Sequence, residues 1–117
     1  MNVYGKERGF LMTVGASAEI AKLCPDGRLE NWGKMISGAD DVTTIENRAA
    51  LICALNKGYE QNRAFSEAGY KPEPITKAEV LALPNREFLA LLSEALKATQ
   101  PSREIESEPL KKNTGDV

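Results

Sequence analysis

DVTTIENRAALICALNKGYEQNRAF, residues 41–65, is the longest stretch of the chain with one unbroken periodicity, and its reading decides the fold. Val42, Ile45, Ala49, Ile52 and Tyr59 recur at helical spacing, and Leu51, Cys53 and Leu55 widen the stripe into one broad apolar face. Glu46, Arg48, Lys57, Glu60 and Arg63 fall largely off that stripe. Thr43 stands three residues ahead of Glu46, the spacing at which a hydroxyl and a carboxylate satisfy two orphan backbone donors reciprocally, so the helix is predicted to start there. At roughly 1.5 Å of rise per residue it spans on the order of 36 Å, the width of a small domain. Shorter helices can then lean on it.

Upstream, residues 1–13 (MNVYGKERGFLMT) hold two short runs, Val3-Tyr4 and Phe10-Leu11-Met12, separated by Gly5, charges and Gly9. A small β-hairpin laid on the helices fits this pattern, and a helix is the open alternative. From Val14 the texture changes: Ala16, Ile20, Leu23 and Cys24 fall at i, i+4, i+7 and i+8, with Ser17 as the candidate cap and Pro25-Asp26-Gly27 as a stop. Residues 28–37 (RLENWGKMIS) place Leu29, Trp32, Met35 and Ile36 on one side of a further short helix, with Gly38 where a left-handed C-cap residue is expected. The single tryptophan, Trp32, either fills the junction with the central helix or serves as an anchor for a partner.

Downstream, Gly69, Pro72 and Pro74 stop the central helix and favour an extended linker over residues 66–74, with Tyr70 as its one large side chain. Thr76, three residues before Glu79, opens a short helix carrying Val80, Leu81 and Leu83. Pro84 ends it and is placed to start the next at the first helical position. Phe88, Leu91, Leu92, Ala95 and Leu96 then repeat at i, i+3, i+4, i+7 and i+8, the most regular amphipathic pattern in the chain and the expected lid of the core. From Gln100 on the composition is polar and proline-bearing, with Ile105 and Leu110 as isolated large aliphatics, which predicts a disordered tail.

At 117 residues the chain suits one domain with a true core. Fifteen basic residues against 17 acidic ones leave no electrostatic footprint for non-specific nucleic-acid binding. The helix around Pro84 makes a poor phosphate-binding surface, since Arg86 and Lys97 are interleaved with two glutamates. The longest apolar run, residues 49–55, falls far short of a membrane span, and no signal-like segment opens the sequence, so a cytoplasmic protein is expected. With no histidine, the commonest general base and metal ligand are both missing. Cys24 and Cys53 form no CxxC pair and read as buried thiols. Asp40-Asp41 sits at a helix start, where negative charge offsets the macrodipole, and Glu104-Glu106 lies in the tail. These patterns nominate no catalytic, cofactor-binding or metal residue. What remains is a module that works by contact, and Trp32, Ile36, Tyr59, Phe65, Tyr70 and Leu89 are the candidate contact residues.

Three runs carry a resemblance: TVGASAEIAKLCPDGRL (residues 13–29), ALNKGYEQNRAF with its continuation GYKPEPIT (residues 54–65 and 69–76), and LPNREFLALLSEAL (residues 83–96). Together they make the chain between Phe10 and Leu96 resemble the tail assembly chaperones of long-tailed phages and of prophages in Gram-positive bacteria. The resemblance implies a helical, non-enzymatic protein of the host cytoplasm, absent from the finished virion. It further implies binding to the tape measure protein, recruitment of tail tube subunits and self-association, with no cofactor, nucleic acid or membrane. Such chaperones lack an invariant catalytic motif, so no residue is carried over as an active-site position. The expectation is therefore an all-α chaperone domain over residues 1–99, about five helices around a long central one, followed by the tail at 100–117. A small helical DNA-binding transcription regulator of phage origin is the alternative function.

Overall fold

The computed structural model describes residues 1–38 and 40–100, and within them the protein forms a short β-hairpin and five α-helices. The expected disordered tail, residues 100–117, lies outside the described residues except for Gln100. The hairpin pairs β1 (Asn2–Val3) with β2 (Lys6–Glu7) antiparallel, Asn2 opposite Glu7 and Val3 opposite Lys6. Its turn residues Tyr4 and Gly5 have φ of 52° and 81°, the two positive values that match the twist of a two-residue hairpin. The second strand is thus the charged Lys6-Glu7 pair. Residues 10–12 instead run irregularly along the central helix, where the Leu11 N–H donates to the Leu55 carbonyl at 3.1 Å.

The central helix, α3 (Val42–Ser66), exceeds its predicted end by one residue, and its cap differs from the predicted one. The Asp41 carboxylate accepts from the Thr44 N–H at 2.8 Å, so the Thr43–Glu46 capping box does not form and Glu46 faces Lys77 at 3.6 Å. The entering chain has extended geometry at Asp41, which puts that acid, two residues before Thr43, in capping position. The predicted stripe also shifts. Val42 is 73 % exposed, whereas Asn56 and Glu60, the latter assigned to the solvent side, are fully buried. This helix is covered on more than one side: α1 (Val14–Leu23) and α2 (Trp32–Ile36) pack on it, as do α4 (Lys77–Leu81) and α5 (Asn85–Lys97).

α1 is capped by Thr13 rather than Ser17, its hydroxyl accepting from the Ala16 N–H at 3.0 Å. It approaches α3 closely over Gly58, where a Cβ would lie 2.7 Å from the Leu11 carbonyl oxygen and 2.8 Å from Thr13 Oγ1. Residues 28–37 divide into a 3₁₀ turn, Leu29–Asn31, and α2. The Asp26 carboxylate ties the turn by accepting from the Arg28 N–H at 3.0 Å and Asn31 Nδ2 at 2.7 Å. Gly38 does not adopt the left-handed cap conformation. The carbonyls at the end of α2 are served from α3 instead: Asn47 Nδ2 donates to Met35 O at 3.1 Å, and Arg48 Nε to Ile36 O at 2.9 Å.

The Thr76–Glu79 capping box of α4 forms as the spacing predicts. Pro84 stands one position earlier than expected, as the N-cap of α5, where its carbonyl accepts from the Phe88 N–H at 2.9 Å. Leu91, Leu92 and Ala95 of α5 enter a core shared with Ile20, Ile52 and Leu55, and Phe88 and Leu96 pack partly buried against it. Both cysteines are free: Cys24 is buried at the C-cap of α1 and Cys53 is half-buried. Among the described residues, no helix is long and apolar enough to cross a membrane.

Candidate functional site

An open groove of about 310 Å³ lies between the first turns of α3, the end of α4 and the start of α5. Val80 and Leu83 form its floor and are buried in the core. Its rim is apolar and exposed: Ile45 from α3, Leu81 from α4, and Leu89, 57 % exposed, from α5. Phe88 lines it half-buried, and Asn85 adds a polar edge. On the α3 side the wall is the Arg48 guanidinium, held by Asp40 at 2.7 Å and by the end of α2. The local cause is the short α4. The capping box at Thr76 and the stop at Pro84 confine it to five residues, so it covers Val80 but leaves Leu81 pointing beside Leu89. Exposed apolar side chains rimming a concave surface are one form that a docking site takes.

The structure does not gather the six residues nominated from the sequence. Leu89 lies on the groove rim. Trp32 and Ile36 sit together at the junction of α1, α2 and α3 with Ile20, Leu23 and Leu51, in a crevice with no room for a water. The indole is half-buried there, packed against the core. Tyr59 is half-buried against the N-terminal segment, its ring so close to Gly9 that a Cβ there would come within 2.6 Å of it. Phe65 is 94 % exposed at the far end of α3, about 30 Å of helix rise from Ile45. Tyr70 is turned inward: its hydroxyl donates to Glu60 Oε1 at 2.7 Å, and the Arg63 guanidinium lies 4.2 Å from its ring centroid.

A second feature escaped the sequence reading. Glu60 lies fully buried, and its Oε1 also accepts from the Glu73 N–H at 2.9 Å and faces Lys6 Nζ at 3.6 Å. Burial pushes its carboxyl up, but the Glu73 amide, the Tyr70 hydroxyl and Lys6 outweigh burial and hold it below the ordinary glutamate value. The same hydrogen bond raises the Tyr70 phenol. The available signal was the polar pair Asn56 and Glu60, one helical turn apart inside an apolar band. Elsewhere, burial pushes the Cys53 thiol up to about 11. Among the described residues, no three histidine, cysteine, aspartate or glutamate side chains gather as a metal-ligand set.

Comparisons of the chain with protein families, with curated proteins and with solved structures found no match.

Proposed function

We propose that this protein is a tail assembly chaperone of a long-tailed phage or prophage, acting by contact and not by catalysis in the host cytoplasm. Its client is the amphipathic helix of a tape measure protein, which it keeps soluble while tail tube subunits are recruited, and copies of the chaperone associate along that client. The observation that carries this reading is the open groove of about 310 Å³ rimmed by Ile45, Leu81 and Leu89. Two adjacent apolar side chains of a client helix fit such a groove, in the manner of other helix-in-groove recognition. Phe65, exposed at the opposite end of α3, offers a second contact to a client long enough to pass both, and repeated weak contacts along one chain add by effective concentration. The resemblance over residues 10–96 supports the same reading, and the near-balance of charge favours a protein client over nucleic acid.

Co-expression with a tape measure fragment tests the proposal. The fragment is expected in the soluble fraction with the parent chain and in the pellet with Leu89→Lys. A fragment that stays insoluble with the parent chain counts against the chaperone role. Duplex binding that persists at physiological salt would favour the small helical DNA-binding regulator instead.

A further inference from the structure

Two side chains of α3 face inward one turn apart, and each is committed to backbone groups of the segments that cross it. Asn56 Oδ1 accepts from the Ile75 N–H at 2.7 Å, and its Nδ2 donates to the Gly9 carbonyl at 2.8 Å. Glu60 Oε1 accepts from the Glu73 N–H at 2.9 Å. Four residues of helix advance about 6 Å and two residues of extended chain about 6.6 Å, so the pair meets alternate amides of an extended segment in register. The segment suits this role. Pro72 and Pro74 have no N–H to leave unpaired and hold Glu73 between them in extended geometry. Across it lies the hairpin: Lys6 Nζ donates to Glu73 Oε1 at 3.0 Å, Arg8 Nη1 to the Glu73 carbonyl, and the Tyr4 hydroxyl to the Glu79 carbonyl at 3.3 Å.

This layer is fastened by polar groups far more than by apolar ones. In residues 1–9 and 70–76 only Val3 and Ile75 are fully buried apolar side chains. The fastening is also incomplete, since Glu60 Oε2 and Arg8 Nε are buried with no hydrogen-bond partner among the described residues. A partly satisfied buried network is the weak point of a fold, and segments with few apolar contacts open first. Gly69, at φ 85°, supplies the pivot where the segment leaves α3.

We propose that the hairpin and residues 70–75 form one lid over Asn56 and Glu60, which opens as a unit, hinged at Gly69 and before the Thr76 cap, while α3, α4 and α5 stay folded. Glu60 is its latch: it touches the lid through Tyr70, Glu73 and Lys6.

Amide hydrogen exchange on the full chain tests this. The amides of Glu73 and Ile75, and that of Arg8, which bonds the Met1 carbonyl at 2.9 Å, exchange at one common opening rate. That rate is about 100-fold or more above the rate of the Leu51, Leu55 and Leu91 amides. Glu60→Gln removes the charge from the latch and speeds the lid amides about tenfold, with the core amides unchanged. Tyr70→Phe, which takes away one hydrogen bond, moves the same group of amides in the same direction, and it decides the matter if Glu60→Gln does not fold. Lid amides exchanging at the core rate, hairpin and residues 70–75 opening at separate rates, or a latch variant that accelerates every amide alike would each overturn the proposal.

Discussion

Replacing Gly58 by alanine sets two large effects of opposite sign against each other, and the structure decides between them. Gly58 lies well inside α3, where alanine is favoured over glycine by about 0.8–1 kcal/mol through helix propensity alone. The new Cβ, however, would stand 2.7 Å from the Leu11 carbonyl oxygen, 2.8 Å from Thr13 Oγ1 and 3.3 Å from Ala16 Cβ. Relief requires residues 11–13 to move outward by several tenths of an ångström. That movement stretches the Leu11 N–H bond to Leu55 O, now 3.1 Å, and the Thr13 cap of α1, now 3.0 Å. Overpacking of this kind costs about 1–3 kcal/mol, and a weakened cap up to about 1 kcal/mol more. After the propensity gain the net is a destabilisation of up to about 3 kcal/mol, seen as a lowered urea midpoint. Gly33→Ala is the control: it sits in α2 with nothing within 4 Å of its Cβ, so the same assay raises or preserves the midpoint. If Gly58→Ala matches or exceeds the parent, as Gly33→Ala should, the packing of residues 11–16 over α3 is wrong.

Leu91→Ala should cost about 2–5 kcal/mol because the side chain is fully buried, whereas Leu89→Ala should stay within about 0.5 kcal/mol; urea denaturation of both separates core from rim. The Asp41, Glu60 and Glu79 carboxyls are held below their ordinary values. Each therefore contributes stability that is present above its unfolded value, 3.8 for the aspartate and 4.5 for the glutamates, and is lost as pH falls through the folded one. The urea midpoint should hold from pH 7 to 5 and fall below that, less steeply in Glu60→Gln; a midpoint unchanged down to pH 3 would contradict the assignment. Thiol labelling at pH 8 should be slow in the folded chain, with Cys53 raised to about 11 and Cys24 also raised by burial, and fast once urea unfolds it. Rapid labelling of the native protein would show those sites open.

How much of this was legible depends on whether the governing contact is local. The amphipathic run of α5 and the capping box at Thr76 involve residues three or four apart, and both appear as read. The choice of Thr13 over Ser17, and of Asp41 over Thr43, follows from the direction in which the chain enters each helix, which hydroxyls and carboxylates at neighbouring positions do not reveal. Glu60 was assigned outward because a single amphipathic face has a polar back. At Asn56 and Glu60, however, α3 is covered by residues 70–75, whose Ile75 and Glu73 amides those side chains accept from, while Gln61 and Asn62 keep the solvent side. The groove is likewise non-local: Ile45, Leu81 and Leu89 are separated by 36 and 8 residues in sequence and meet only when α4 and α5 dock on α3. From sequence alone Leu89 is a candidate contact residue, whereas Ile45 reads as part of the α3 stripe and Leu81 as apolar content of α4.

The central claim, that the groove at Ile45, Leu81 and Leu89 seats a client helix, is tested most directly by titrating the labelled chain with a soluble helical fragment of a tape measure protein and following side-chain methyl resonances. The account predicts saturable shifts at Ile45, Leu81 and Leu89, and a loss of affinity of about tenfold or more in Leu89→Lys, whose urea midpoint stays that of the parent. Unchanged affinity in Leu89→Lys, or no shift at the groove while the fragment binds elsewhere or not at all, would contradict it.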